Sequence, residues 1–454
     1  MDAAPDPTTS DAEPSRLAAI RELMQLPAFR RLLIVRWSSQ FADGLFQVGS
    51  IGLLLFALDP FAQTSATDIA EVIAITALPF TIVGPVAGVF IDRWRRRRIL
   101  AGAALTRVVL IAATLPLVSA HLLGLSTGET IYYVAVLVAL GINRFQLATL
   151  GAILPRLVPT EVLLPANAIS STGGSLVVLS GATVGGLLAG LIGDTNGGPE
   201  IVVAISEVFL VVSALAALRF VSSELGPDAD EVATGTTVAD AYRDVVAGAR
   251  DITRARRAWA PMVTFATLRF STVGASIAAL LVIRNEFGGG STDVGFFLAS
   301  FGVGVGVGAV AGSLLDRLTD VRQETMVRVG TLATGLVIIA VGPILTTASL
   351  LTLSGLMGLG FGVTKVATDT LVQTGLPDAM RGRLFAAFDV IVNLFVVAAG
   401  VTVALLLTDV SRSDDLMLGL GALLALLPIV GRNWLRRLPP AVDVETWEEA
   451  RHLH

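Results

Sequence analysis

GVFIDRWRRRRIL, residues 88–100, packs five arginines into thirteen residues: Arg93, Arg95, Arg96, Arg97 and Arg98. Long runs with almost no charge flank it on both sides. A bilayer-crossing helix needs about 20 apolar residues, and Lys and Arg are retained on the cytoplasmic side of such helices. The stretch therefore reads as a short cytoplasmic turn between two membrane spans. A nucleic-acid patch is the other use of such a run, but the apolar flanks leave no room for a soluble binding domain around it.

The rest of the chain agrees. Of 454 residues, 54% are hydrophobic and 15% charged, and the mean hydropathy is +0.76. A water-soluble fold cannot bury that much apolar surface. There is no cysteine, which excludes disulfides, thiolate metal sites and cysteine nucleophiles. The net charge is −5, and among the 32 basic residues only Lys365 is lysine. The first residues, MDAAPDPTTSDAEPS, lack the basic and apolar regions of a cleavable signal. Residues 1–27 are expected to be a disordered cytoplasmic tail.

Apolar runs place spans at 30–57, 67–91, 99–120, 131–154, 168–191 and 201–221, then at 260–283, 294–315, 324–345, 348–374, 384–408 and 416–435. The expected fold is all-α: an integral membrane protein of twelve transmembrane helices in two six-helix halves, 28–221 and 259–436. A cytoplasmic linker, 222–258, joins the halves, and 437–454 forms a second cytoplasmic tail. Within the linker, Val238, Tyr242, Val245, Val246, Ala249 and Ile252 share one helical face. They predict an amphipathic helix at the membrane surface, with a solvated linker helix as the alternative. Outer loops hold only Arg284 and Arg412, whereas arginines recur at the inner loops. That alternation predicts a multi-pass protein of the cell (inner or plasma) membrane with both termini in the cytoplasm.

Anchoring explains the arginines of 88–100 but not Gly88, Asp92 and Arg93. The pattern G-x-x-x-D-R followed by basic residues resembles the loop between spans two and three of the major facilitator superfamily. A weaker copy, GSLLDRL, carries Gly312, Asp316 and Arg317 at the corresponding place of the second half, as an internal duplication predicts. The usual glycine after D-R-x is replaced by Arg95. The segments 143–169 and 370–386 resemble the enterobactin-exporter-like and macrolide-efflux-like branch, a resemblance covering about 28–436. It implies a cytoplasmic gate at Gly88, Asp92, Arg93, Arg96, Arg97, Gly312, Asp316 and Arg317, with Asp92 latching a neighbouring helix end. A merely local offset of one arginine is the plainer use of Asp92.

Ionisable residues at mid-membrane cost several kcal/mol and face a cavity or a partner. Counting inward from span ends, the central ones are Asp43, Arg144, Arg269, Lys365 and Asp369. Glu207 lies nearer the outer side and Arg107 nearer the inner side, while Arg36 and Asp389 are close enough to the cytoplasm to snorkel. Spans one, four, seven and ten each carry at least one of the central charges, and the resemblance makes these the cavity-lining helices. Asp43 with Arg144 is the expected proton-coupling pair, a permanent structural pair being the alternative. Lys365 and Asp369 share a helix face at i, i+4. They either neutralise each other or leave Lys365 for an anionic group. Gln40, Gln47, Gln146, Phe145, Thr364 and Asn393 are substrate-lining candidates, each also readable as packing.

Gly304, Gly308 and Gly312 inside a predicted span read as close helix packing, not as a nucleotide loop, which would follow a strand. Gly181, Gly185, Gly186 and Gly190 read the same way. There is no Walker motif, no metal-ligand cluster and no nucleophile–base constellation, so no enzyme, cofactor or metal is expected, and a proton gradient is the expected energy source. The reading is an alternating-access secondary transporter, in which proton antiport drives efflux of an amphipathic small molecule, in the manner of multidrug or siderophore export. The export direction comes from the resemblance. The alternatives are a lysophospholipid-type lipid carrier, a metabolite uptake permease, and a non-transporting sensor or scaffold. Expected partners are the bilayer and a small-molecule or lipid substrate, without nucleic acid, and the chain is expected to act as a monomer.

Overall fold

Helices begin and end where the local chemistry dictates. Pro27 opens α2 (Pro27–Gly52) at its first turn, where a missing N–H costs no hydrogen bond. At the turn from α9 (Gln323–Val341) into α10 (Thr347–Gly375), Thr346 and Ser349 cap each other. The Ser349 N–H donates to Thr346 Oγ1 at 3.2 Å, and the Thr346 N–H donates to Ser349 Oγ at 3.0 Å.

The computed structural model describes residues 16–53, 90–91, 93–119, 125–159, 162–193, 197–221, 224–226, 256–318, 321–375, 378–407 and 412–430, with isolated positions at 65–67 and 239–247. Among the described residues every regular element is a helix and none is a strand. Besides those above, the chain forms α1 (Arg16–Gln25), α3 (Arg96–Ser119), α4 (Leu125–Leu157), α5 (Leu163–Ile192) and α6 (Gly198–Leu218). It continues with α7 (Arg256–Asn285), α8 (Ser291–Leu318), α11 (Asp378–Leu406) and α12 (Ser413–Val430).

Nine of the described helices, α3 to α11, are long and apolar enough to cross a membrane. Their outer surfaces suit lipid and not water: Leu191 is 84% exposed, Leu405 72% and Val109 68%. The predicted span 67–91 and the linker helix lie almost wholly outside the described residues. Residues 1–27 are not unstructured throughout. Arg16–Gln25 is helical, because this stretch has no glycine or proline and Leu23 packs fully buried with Phe29, Leu154 and Val162.

Helices α2 to α6 pack among themselves, with α2 against α5 and α6, and α3 against α4 and α6. Helices α7 to α12 do the same, with α7 touching each of the other five. The main seam between these two sets is α5 against α8. Glycines set the closest approaches. A methyl group at Gly304 of α8 would collide with the Gly355 carbonyl oxygen of α10, and one at Gly308 with the Leu359 carbonyl oxygen. Gly186 of α5 meets Gly295 of α8 in the same way across the main seam. Side chains this small let two backbones touch, and in lipid that packing replaces the hydrophobic drive.

Candidate functional site

Among the described residues, the charges of the helix interiors include three ion pairs, the arginines Arg36 and Arg269 without an acid, and Glu207. In the first set, Asp43 of α2 accepts a hydrogen bond from Arg107 of α3 at 2.6 Å. Their side chains are 2% and 1% exposed. Asn143 of α4, also buried, approaches the same carboxylate. Several atoms here lack a hydrogen-bond partner: Asp43 Oδ2, Arg107 Nε and Nη1, and Asn143 Oδ1. Glu207 of α6 lies in the field of Arg107. Its Oε1 accepts from Ser206 Oγ at 3.3 Å, and its Oε2 is buried without a partner. Nearby, Ser50 and Tyr132 share a buried hydrogen bond at 3.1 Å.

This geometry corrects the pairing expected for Asp43. Its guanidinium partner is Arg107, not Arg144, and the carboxylate lies inside the first helix set. Helical rotation supplies the reason. Asn143 and Arg144 are consecutive on α4, about 100° apart around the axis. With Asn143 turned to α2, Arg144 is turned elsewhere. Arg144 Nη2 instead reaches Asp389 Oδ2 of α11 at 2.5 Å, joining the two helix sets. Asp389 therefore does not simply snorkel to water. Nor does Arg36, which donates to Gln40 Oε1 and to Ser170 Oγ, both at 3.1 Å.

In the second set, Lys365 donates to both carboxylate oxygens of Asp369, at 2.6 and 2.5 Å, as the i, i+4 spacing allows. Its Nζ also lies 5.6 Å from the Phe265 ring centre. Arg269 of α7 stands differently. Its guanidinium carbon lies 5.4 Å over the Phe361 ring.

The substrate-lining candidates divide. Gln146 is fully buried and donates to Ser213 Oγ at 3.3 Å, which ties α4 to α6. Thr364 is fully buried against Gly330 of α9, and Gln40 is buried beside Arg36. In this structure all three pack against protein. Gln47, Phe145 and Asn393 are half-buried, and Asn393 Nδ2 donates to the Asp389 carbonyl at 2.7 Å. Phe145 also borders a cavity of about 640 Å³ with Arg93, Trp94 and Arg98, a cavity that none of the central charges lines.

Of the expected gate, Gly88 and Asp92 fall outside the described residues, as does the Arg317 side chain. Arg96 is buried and donates through Nη1 to the Ala152 and Leu225 carbonyls, at 3.3 and 3.2 Å. Arg97 donates to the Leu218 carbonyl at 2.7 Å. The two arginines thus satisfy carbonyls at and beyond helix C-termini, in addition to carrying charge. Asp316 accepts from Gln323 at 2.5 Å across the turn between α8 and α9, and Gly312 lies against Val363 of α10. Residues that the sequence did not single out as ligands or partners are Asn143, Phe361 and Asp389. Among the described residues no group of three His, Cys, Asp or Glu could hold a metal.

A helical bundle with lipid-facing surfaces and paired charges at its centre is a multi-span membrane protein of the carrier class. The family model of the Major Facilitator Superfamily matches residues 37–401, so the chain belongs to that superfamily. It is 33% identical over 376 residues to an uncharacterized MFS-type transporter of Mycobacterium tuberculosis (strain ATCC 25618 / H37Rv), covering 81% of this chain and 82% of the relative. Among solved structures, a bacterial homologue of the iron transporter ferroportin, inward-facing, superposes with a TM-score of 0.65 at 16% identity, covering 92% of this chain and 99% of that one. A POT family transporter gives 0.67 at 12% identity, covering 90% and 98%. The chain is an MFS-type transporter.

Proposed function

We propose that this transporter has twelve spans in two six-helix halves and exports an amphipathic small molecule, of drug or siderophore-like kind, against proton entry. It would do so from the cell membrane by alternating access, with both termini in the cytoplasm. The observation that carries the reading is the Asp43–Arg107 pair, 2.6 Å apart and almost wholly buried between α2 and α3.

A buried ion pair is stable only while both charges are present. Protonation of Asp43 would leave Arg107 charged, buried and without its hydrogen-bonded counter-ion, so the helices holding it would have to move. Loss of the proton would restore the pair. Glu207 supplies a second resting place for that guanidinium, whose Nε and Nη1 are without a partner. Proton binding is thereby convertible into helix displacement, and the Arg144–Asp389 pair lies where displacement of one helix set against the other would be felt.

The test is a growth-inhibition panel in a pump-deficient bacterial host, comparing wild type with Asp43→Asn at matched expression. Cationic drugs, macrolides, catecholate siderophores and lysolipids make up the panel. Resistance to a compound that the variant fails to confer is the expected result. Equal protection by both proteins would sink the coupling role of Asp43, and no protection by either would sink efflux of these classes.

A further inference from the structure

We infer that Arg269 is the docking point for an organic anion, a carboxylate or phosphate group carried on an apolar or aromatic body, in a crevice bordered by α7 and Phe361 of α10.

Helix α7 is the axis of the second helix set. In its membrane-crossing segment 72% of the residues are buried, against 50% or less in the other eight. From Trp259 to Asn285 no residue is fully exposed, so this helix shows no face to lipid. Its partial exposure from 269 to 280 is confined to Arg269, Phe270, Val273, Ser276 and Leu280. Arg269, Val273, Ser276 and Leu280 follow the i, i+4, i+7, i+11 spacing of one helical stripe. A half-buried stripe on a helix wrapped by five others borders an internal crevice.

Arg269 sits at the mid-membrane end of that stripe with its charge uncompensated. Among the described residues its side chain makes no hydrogen bond and no ion pair, and its guanidinium lies over the face of Phe361. Asp369 of α10 is engaged with Lys365, and Asp389 of α11 with Arg144. A guanidinium carries five N–H donors in a planar fork that fits a carboxylate or phosphate in bidentate fashion. The ring satisfies one face of the cation and leaves that fork unused. A structural arginine at this depth would be expected to have its acid beside it, as Arg107 does. An incoming anion supplies what the site lacks. The half-buried rings of Phe361 and Phe301, 5.8 Å apart, give the apolar body a surface. The inference deepens the transporter reading by naming its substrate class, yet binding can be measured without flux.

The experiment follows thermal unfolding of the purified full-length protein in detergent by tryptophan fluorescence. Four probes are added at matched concentration: 4-phenylbutanoate, lauroyl lysophosphatidate, 4-phenylbutylamine and 4-phenylbutanol. At least one anion is expected to raise the midpoint by a few degrees, while the amine and the alcohol leave it unchanged. Stabilisation by phenylbutanoate identifies a soluble organic acid as sufficient, and stabilisation by lysophosphatidate alone identifies an anionic lipid. Arg269→Gln should abolish the shift, and Arg269→Lys should keep part of it. Without probe, Arg269→Gln should melt no lower than wild type, because it removes an uncompensated charge. Asp43→Asn should keep the anion shift, which separates binding from coupling. The inference is overturned if neither anion shifts wild type, if the amine or alcohol shifts it as much, if Arg269→Gln responds like wild type, or if that variant alone melts well below it.

Discussion

Arg144 of α4 and Asp389 of α11 meet at 2.5 Å, although they belong to different helix sets and stand 245 residues apart in the chain. The side chains are 24% and 50% exposed, so the pair is only partly desolvated. Such a pair contributes at most about 1 kcal/mol to stability, a strength suited to a contact that opens and closes. Arg144→Gln and Asp389→Asn should therefore melt within a degree or two of wild type and still lose most transport. The exchange Arg144→Asp with Asp389→Arg should recover part of it. If both singles transport normally in a cell-based efflux assay, the contact has no part in the cycle.

Asp43–Arg107 should behave in the opposite way, because its burial is nearly complete. Removing one partner leaves a buried charge alone, at a cost of about 3–5 kcal/mol. Asp43→Asn and Arg107→Met should each lower the unfolding midpoint markedly. The double variant Asp43→Leu/Arg107→Met should regain most of that loss, since apolar residues of similar size replace both charges. All three should be unable to couple transport to protons. A double variant no more stable than the singles would mean that the pair is held by contacts other than its charges.

Helix positions were legible in the sequence because hydropathy is a local property. Every predicted span except 67–91, which lies almost wholly outside the described residues, overlaps one of the helices α2 to α12, with ends shifted by a few residues. The glycine periodicity was legible for the same reason, as Gly304 and Gly308 show. Pairing was not. Sequence gives the depth of a charge along its helix, and it sets Asp43 beside Arg144 at mid-membrane and Arg107 nearer the inner side. Which of them meet depends on helix azimuth and on neighbours far away in the chain. A one-residue difference on α4 sends Asn143 toward Asp43 and Arg144 toward Asp389. Gln146 and Thr364 stay open between packing and lining for the same reason, since a polar residue in an apolar run can face a cavity or a neighbouring helix equally well.

The seam of α8 and α10 permits a contrast between glycines. Gly308→Val places branched carbons against the Leu359 carbonyl, so the helices must separate and folded yield in detergent should fall severely. A methyl group at Gly419 of α12 meets nothing within 4 Å. Gly419→Ala should leave the fold intact and raise stability by up to about 1 kcal/mol, because it removes a helix-interior glycine. Size-exclusion profiles and melting curves of the two variants check both outcomes.

The arginines of 88–100 should not be equivalent, although a charge count treats them so. Arg95 is exposed, whereas Arg96 is 8% exposed and bonds the carbonyls of Ala152 and Leu225. Arg96→Ala removes charged hydrogen bonds from buried acceptors and should cost about 1.5–3 kcal/mol. Arg96→Lys should recover less than half of that, because a compact ammonium does not reproduce the planar fork. Arg95→Ala should change melting little. The same loss from Arg95→Ala and Arg96→Ala would mean that the cluster acts through its summed charge alone. A large difference would mean that one buried arginine fastens α3 to the end of α4 while its neighbours hold the turn on its side of the membrane.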